Sequence, residues 1–197
     1  MPIAKTSELK VLLQYGTTAK ALHWVIVALI AIQFLIGWFM PDIKARMTPG
    51  AAMTWHISIG TTVLALMLFR LGWRITHPVP PDSSLPAHQR IISEAVHWLI
   101  YLLVLLTTLS GWLFASARGW TIHWFFGPVL PMLTSQNSAL LHRIDGWHQI
   151  FEVSLLLLVG LHILGGLVHL FYYRDGIMRR MVPERFAHWV TPLGRVV

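Results

Sequence analysis

Cysteine is absent from the 197-residue chain. Disulfides, iron–sulfur clusters, thiolate metal sites and cysteine nucleophiles are therefore excluded. Charge is scarce too: Asp, Glu, Lys and Arg make up 12% of the residues, against about 25% in a soluble domain. Internal repeats and low-complexity tracts are missing. So is any interleaving of basic with stacking residues, which argues against nucleic-acid binding despite a formal charge of +7. No A-x-A-like cleavage site follows the first apolar run, so that run is expected to stay as a retained helix.

What remains is apolar. Hydrophobic residues make up 55% of the chain, and most of them fall in four runs. The expected spans are about 21–40, 51–73, 91–116 and 147–173. Each reaches or exceeds the ~20 residues that cross a bilayer. Pro41, Pro49-Gly50, the proline-rich stretch from Pro78 to Pro86, and Arg174-Asp175-Gly176 separate or end them. Residues 117–146 form the longest connection. Its Trp120, Trp124, Phe125 and Phe126 predict a folded cap at the interface. A short surface helix is expected around Ser7–Leu13, and a basic tail over 174–197. The fold class is all-α: an integral membrane four-helix antiparallel bundle in one domain, 1–197.

Four spans put both termini on one side. Eleven Lys and Arg fall on that side, among them Lys20, Arg70, Arg74, Arg174, Arg179 and Arg180. Four fall on the other: Lys44, Arg46, Arg118 and Arg143. The positive-inside rule places both termini in the cytoplasm.

Of eleven histidines, six lie in or at the ends of spans: His23, His56, His97, His148, His162 and His169. A histidine in lipid needs a partner or a task. His148 and His162 are fourteen residues apart on the fourth span. On a helix that spacing rises about 21 Å and returns within roughly 40° of the same side. Depth then pairs His23 with His162 at the inner end, and His56 with His148 at the outer end. Two imidazoles from two helices at one depth suit the two faces of a haem. A lone histidine is as often a hydrogen-bonded core side chain, but two depth-matched pairs favour ligation. Zinc does not fit two nitrogens per site.

Gly60 stands one turn from His56, and Gly37 and Gly111 lie deep in their spans. These glycines serve either clearance for a flat macrocycle or close helix packing. Haem propionates are anionic, so Lys20 and Arg70 are candidates to meet them at the inner end, and Arg143 at the outer end. For Arg70, snorkelling is the alternative.

At this point the residues resemble a known family. Leu22-His23-Trp24, Trp55-His56-Ile57-Ser58-Ile59-Gly60 and the run from Arg70 to Pro81 are similar to bacterial cytochrome b561. So are His97-Trp98-Leu99-Ile100-Tyr101, Trp147-His148, Gly160-Leu161-His162 with His169, and Arg179 to Pro183. The resemblance runs from about Tyr15 to Pro183. It implies a membrane cytochrome with two b haems, ligated by His23 with His162 and by His56 with His148. It further implies a superoxide:ubiquinone oxidoreductase, which takes electrons from periplasmic superoxide and passes them to ubiquinone.

On that reading Arg118, Arg143 and Lys44 form a positive mouth for superoxide. His169, seven residues past His162, is a candidate contact and proton relay for the quinone. His97, with Glu94 one turn earlier, is a candidate proton feed. The competing readings are a cytochrome b subunit relaying electrons from a dehydrogenase to quinone, and an electron carrier for a periplasmic partner with no catalysis of its own.

Overall fold

The computed structural model describes residues 15–44, 47–80, 85–125, 127–136 and 138–190. Four long helices dominate it: α1 Thr17–Phe39, α2 Ala51–Thr76, α3 Ala87–Ala117 and α4 Ser138–Val168. A wider π-type turn, His169–Tyr173, continues α4. All four are long and apolar enough to cross a membrane. The surface helix expected around Ser7–Leu13 and the last residues of the tail lie outside the described residues.

Backbone chemistry sets the helix ends. Pro41 and Pro78 follow α1 and α2 closely, where a missing N–H and a fixed φ prevent continuation. Gly119 closes α3 in the left-handed region, φ 72, a conformation that a Cβ would oppose. The fourth helix differs from expectation. It begins at Ser138, well ahead of 147. The polar residues between Ser138 and Trp147 hide the helix from a hydropathy reading, yet none of them is a proline.

Packing is uneven around the bundle. Helices α3 and α4 share the most extensive backbone contact, followed by α1 with α2 and α2 with α3. Among the described residues neither α1 nor α2 packs its backbone extensively on α4. A slot therefore separates α4 from the α1–α2 pair. The core lies beside it, built from Ile26, Ile59, Val63, Met67, Tyr101, Val104 and Leu155. Hydroxyls within the spans bond their own helix: Thr107 donates to the Leu103 carbonyl at 2.7 Å and Thr108 to Val104 at 2.8 Å.

The α3–α4 connection is folded over one end of the bundle, here termed the cap end. Two fully buried serines staple it. Ser58 accepts the Phe125 amide at 2.7 Å, and Ser116 accepts the Leu133 amide at 3.1 Å. Trp112 donates to the Pro131 carbonyl at 3.0 Å, and Trp120 to the Met47 carbonyl at 2.9 Å. Met53, Ile57, Ala115, Trp120 and Ile122 make a second apolar cluster beneath. At the opposite, tail end, the segment after α4 turns back. Trp24 donates to the Met181 carbonyl at 3.0 Å, and Arg180 to that of Pro80 at 2.9 Å.

Candidate functional site

At the cap end, α2 presents His56 across the slot to His148 on α4. Their ring centres stand 6.4 Å apart, with the planes crossed at 77°. His148 is held from behind: its Nδ1–H donates to the Ser110 hydroxyl at 3.0 Å, and Ser110 in turn donates to the Thr107 carbonyl at 2.9 Å. That leaves Nε2 for a ligand. The ring lies so close to α3 that a Cβ on Gly111 would sit 3.0 Å from it. Behind His56, Gln33 of α1 donates its amide to the His56 carbonyl at 2.8 Å. A Cβ on Gly60 would come within 2.9 Å of that same amide. Both histidines line a mainly apolar cavity between the helices. The His56 Nδ1 and Gln33 Oε1 atoms are buried without a partner among the described residues.

At the tail end, α1 presents His23 to His162 of α4. The geometry repeats: 6.4 Å between ring centres and 76° between planes. Arg70 reaches this site from α2, fixed by a 2.9 Å bond to the Tyr101 hydroxyl and a 3.1 Å bond to the Ala19 carbonyl. Lys20 is buried one turn before His23, on the same helix. Trp24 packs edge-on to His23 at 5.3 Å.

These distances suit one metal between each pair of rings. An atom midway would lie 3.2 Å, half of 6.4 Å, from each ring centre. A metal–imidazole bond is about 2.0–2.1 Å, and the bonded nitrogen lies about 1.1 Å from its ring centre. The two lengths add to nearly that half-distance.

Comparison with known proteins points the same way. The family model described as prokaryotic cytochrome b561 matches residues 14–184. The chain belongs to the prokaryotic cytochrome b561 family. It is similar to a protein of Yersinia pestis named "Probable superoxide oxidase CybB", 25% identical over 87% of this chain and 97% of that protein. It is also similar to "Cytochrome b561 homolog 2" of Escherichia coli K12, at 27% over 86% and 91%, and to "Cytochrome b562" of Cereibacter sphaeroides, at 25% over 83% and 92%. Cytochromes b561 are multi-pass bacterial membrane proteins that bind haem b and transfer electrons. The residues present fit that group: paired imidazoles at iron-bridging distance, an apolar cavity beside one pair, and glycines where a side chain would fill the wall.

The other expected site residues of the cytochrome fall into different roles. Arg118 donates to the Lys44 carbonyl at 2.7 Å and stacks over Trp120 at 4.9 Å, tying the α1–α2 connection to the cap. Arg143 and Lys44 are exposed at the cap end. His97 lies 5.0 Å from His162, and its Nδ1 bonds the Ser93 carbonyl rather than Glu94. His169 opens the π-type turn and pairs through Nδ1 with Asp175. His123 is exposed on the cap, near the Gly127 carbonyl, and His77 stacks on Trp73. The His142 side chain is outside the described residues.

Three contributors were missed by the sequence reading: Ser110, Gln33 and Asp175. Gln33 carried a signal, as a single amide inside an apolar run. Ser110 carried none beyond lying next to Gly111.

Proposed function

We propose that this cytochrome holds two b haems, one per histidine pair, and acts as a superoxide:ubiquinone oxidoreductase in the bacterial inner membrane, with both termini cytoplasmic. The observation that carries the reading is the repeat of one ligand geometry at two levels of α4. The two levels are separated by about 21 Å along the helix, much of a bilayer core. When bound, the haems supply one-electron redox centres near each face.

The chain's own residues do the rest. His56 and His148 hold the cap-end group, and Ser110 fixes the His148 tautomer. Such outer partners set ligand orientation and basicity. The cap, pinned by Ser58 and Ser116, lies over the same end of the bundle as the cavity. His23 and His162 hold the tail-end group, with Arg70 and Lys20 placed to meet its carboxylates. Lys44 and Arg143 give the cap end a positive mouth for a small anion. The net reaction balances: two superoxide ions lose one electron each and leave as oxygen, while one ubiquinone gains two electrons and two protons. His169 contacts the quinone as its proton donor, and His97 and Arg118 have supporting places at the two ends.

A stopped-flow superoxide pulse on the purified, oxidised protein tests this. The expected result is haem reduction within milliseconds, followed by reoxidation on adding ubiquinone. Arg143→Glu should lower the bimolecular rate about tenfold at low salt, with the difference shrinking as salt rises. No reduction by superoxide would sink the donor assignment.

One observation favours a second reading. Arg118 is spent on the Lys44 carbonyl and on Trp120, which leaves fewer free cations at the mouth. A cytochrome b subunit fed by a dehydrogenase or another periplasmic partner needs no such mouth. That protein would stay oxidised after the pulse and still be reoxidised by quinone after chemical reduction.

A further inference from the structure

The turn that ends α4 is built around one carboxylate. Asp175 stands between two left-handed residues, Arg174 at φ 50 and Gly176 at φ 79. Gly176 adopts that region freely; Arg174 does not. Just before it, α4 widens into the π-type turn His169–Tyr173, a distortion often found at functional positions. The result is a sharp reversal that places Asp175 on His169. One carboxylate oxygen takes the His169 Nδ1–H, and the other accepts the Ile177 amide at 3.1 Å. Both side chains are about one-fifth exposed, at 20% each. Among the described residues Nε2 of His169 has no hydrogen-bond partner. The tail packs close by, with the Met178 sulfur 3.1 Å from where a Gly166 Cβ would stand.

We infer that Asp175 is the positioning residue for His169 in quinone reduction. This rests on the proposed reading of His169 as the quinone contact. The carboxylate fixes the ring through Nδ1, so Nε2 is the nitrogen that faces the substrate. It also matches the charge of the doubly protonated ring, the form able to donate. The proton on Nε2 goes to a quinone carbonyl oxygen, and the ring regains one from tail-side water. Two such transfers accompany the two electrons that turn quinone into quinol. Asp175 keeps its charge throughout, as an orienting carboxylate behind a general-acid histidine does.

The test uses the full-length, haem-loaded protein, reduced chemically and mixed with a short-chain ubiquinone while haem absorbance is followed. His169→Gln should slow reoxidation. Asp175→Asn should lower the limiting rate by about 10–100-fold, leave its dependence on quinone concentration nearly unchanged, and add nothing in a His169→Gln background. Asp175→Glu, which keeps the charge, should recover most of the rate. A wild-type rate for Asp175→Asn beside a slow His169→Gln overturns the role of Asp175 and leaves the quinone reading standing. A wild-type rate for His169→Gln overturns the quinone reading itself. Slowing by Asp175→Asn that adds to His169→Gln marks a structural role and also overturns the inference. If Asp175→Asn fails to retain haem, the Glu variant carries the comparison: slowing that His169→Gln abolishes supports the inference, and additive slowing or no slowing overturns it.

Discussion

His148 and His56 face each other across one site, yet they are supported differently. His148 has a chain behind it: ring to Ser110, then Ser110 to the Thr107 carbonyl. The His56 Nδ1 has no partner among the described residues. On the proposed ligation, the imidazole with the hydrogen-bonded N–H would be the better oriented and the more basic ligand. Ser110→Ala should therefore loosen the cap-end group, weakening its retention by about 10–100-fold while the His23–His162 site keeps its own. Haem per chain after challenge with a haem-scavenging protein measures this. Unchanged retention would mean that the Ser110 bond is incidental. The histidines themselves were legible in the sequence, because depth and register alone pair them. Ser110 and Gln33 were not, since which hydroxyl or amide stands behind a ring depends on how two helices are rotated. Asp175 was hidden for another reason. Six residues do not bring it to the same helical face as His169; a π-type turn and a left-handed Arg174 do.

At the level of elements, α3 forms one wall of the cap-end site and fixes its width. A Cβ at Gly111 meets the His148 ring at 3.0 Å, whereas one at Gly37 stands 3.9 Å from the His56 ring. The first needs the ring to give way; the second is ordinary contact. On the proposed two-haem reading, Gly111→Val should displace His148 and lose the cap-end haem, whereas Gly37→Ala should keep both. The pyridine haemochrome ratio to protein distinguishes the two outcomes, and full haem content in Gly111→Val would refute the wall. Hydropathy revealed all four spans, with ends displaced by a few residues. It missed the first turns of α4, where residues between Ser138 and Trp147 are too polar to register as membrane helix. Arg118 was expected to draw an anion; the structure shows it bonded to the Lys44 carbonyl as well, a contact that no sequence pattern reveals between two residues so far apart in the chain.

Across the whole molecule, the charge asymmetry and the two ligand levels share one axis. The two ends differ in how they are closed. The cap is stapled by Ser58 and Ser116 within helices, while the tail is held by contacts such as Trp24 to Met181 and Arg180 to Pro80. On the proposed function, the cap end would serve a donor small enough to need only the edge of the buried group, and the tail end a bulky lipid-soluble acceptor entering from the side.

The slot between α4 and the α1–α2 pair has a consequence for how the protein is made. Polypeptide packing joins α4 to the rest chiefly along α3, so before cofactor arrives that helix is mounted like a door on a single jamb. On the proposed ligation, a haem held by His56 with His148 and another held by His23 with His162 would latch the other edge, and haem delivery would then be the last folding step as well as the loading step. Haem-starved protein should show fast amide exchange through α4 while α2 stays protected, and added haemin should slow α4 exchange at both ends. Equal protection of α2 and α4 without haem would show that the bundle closes by itself.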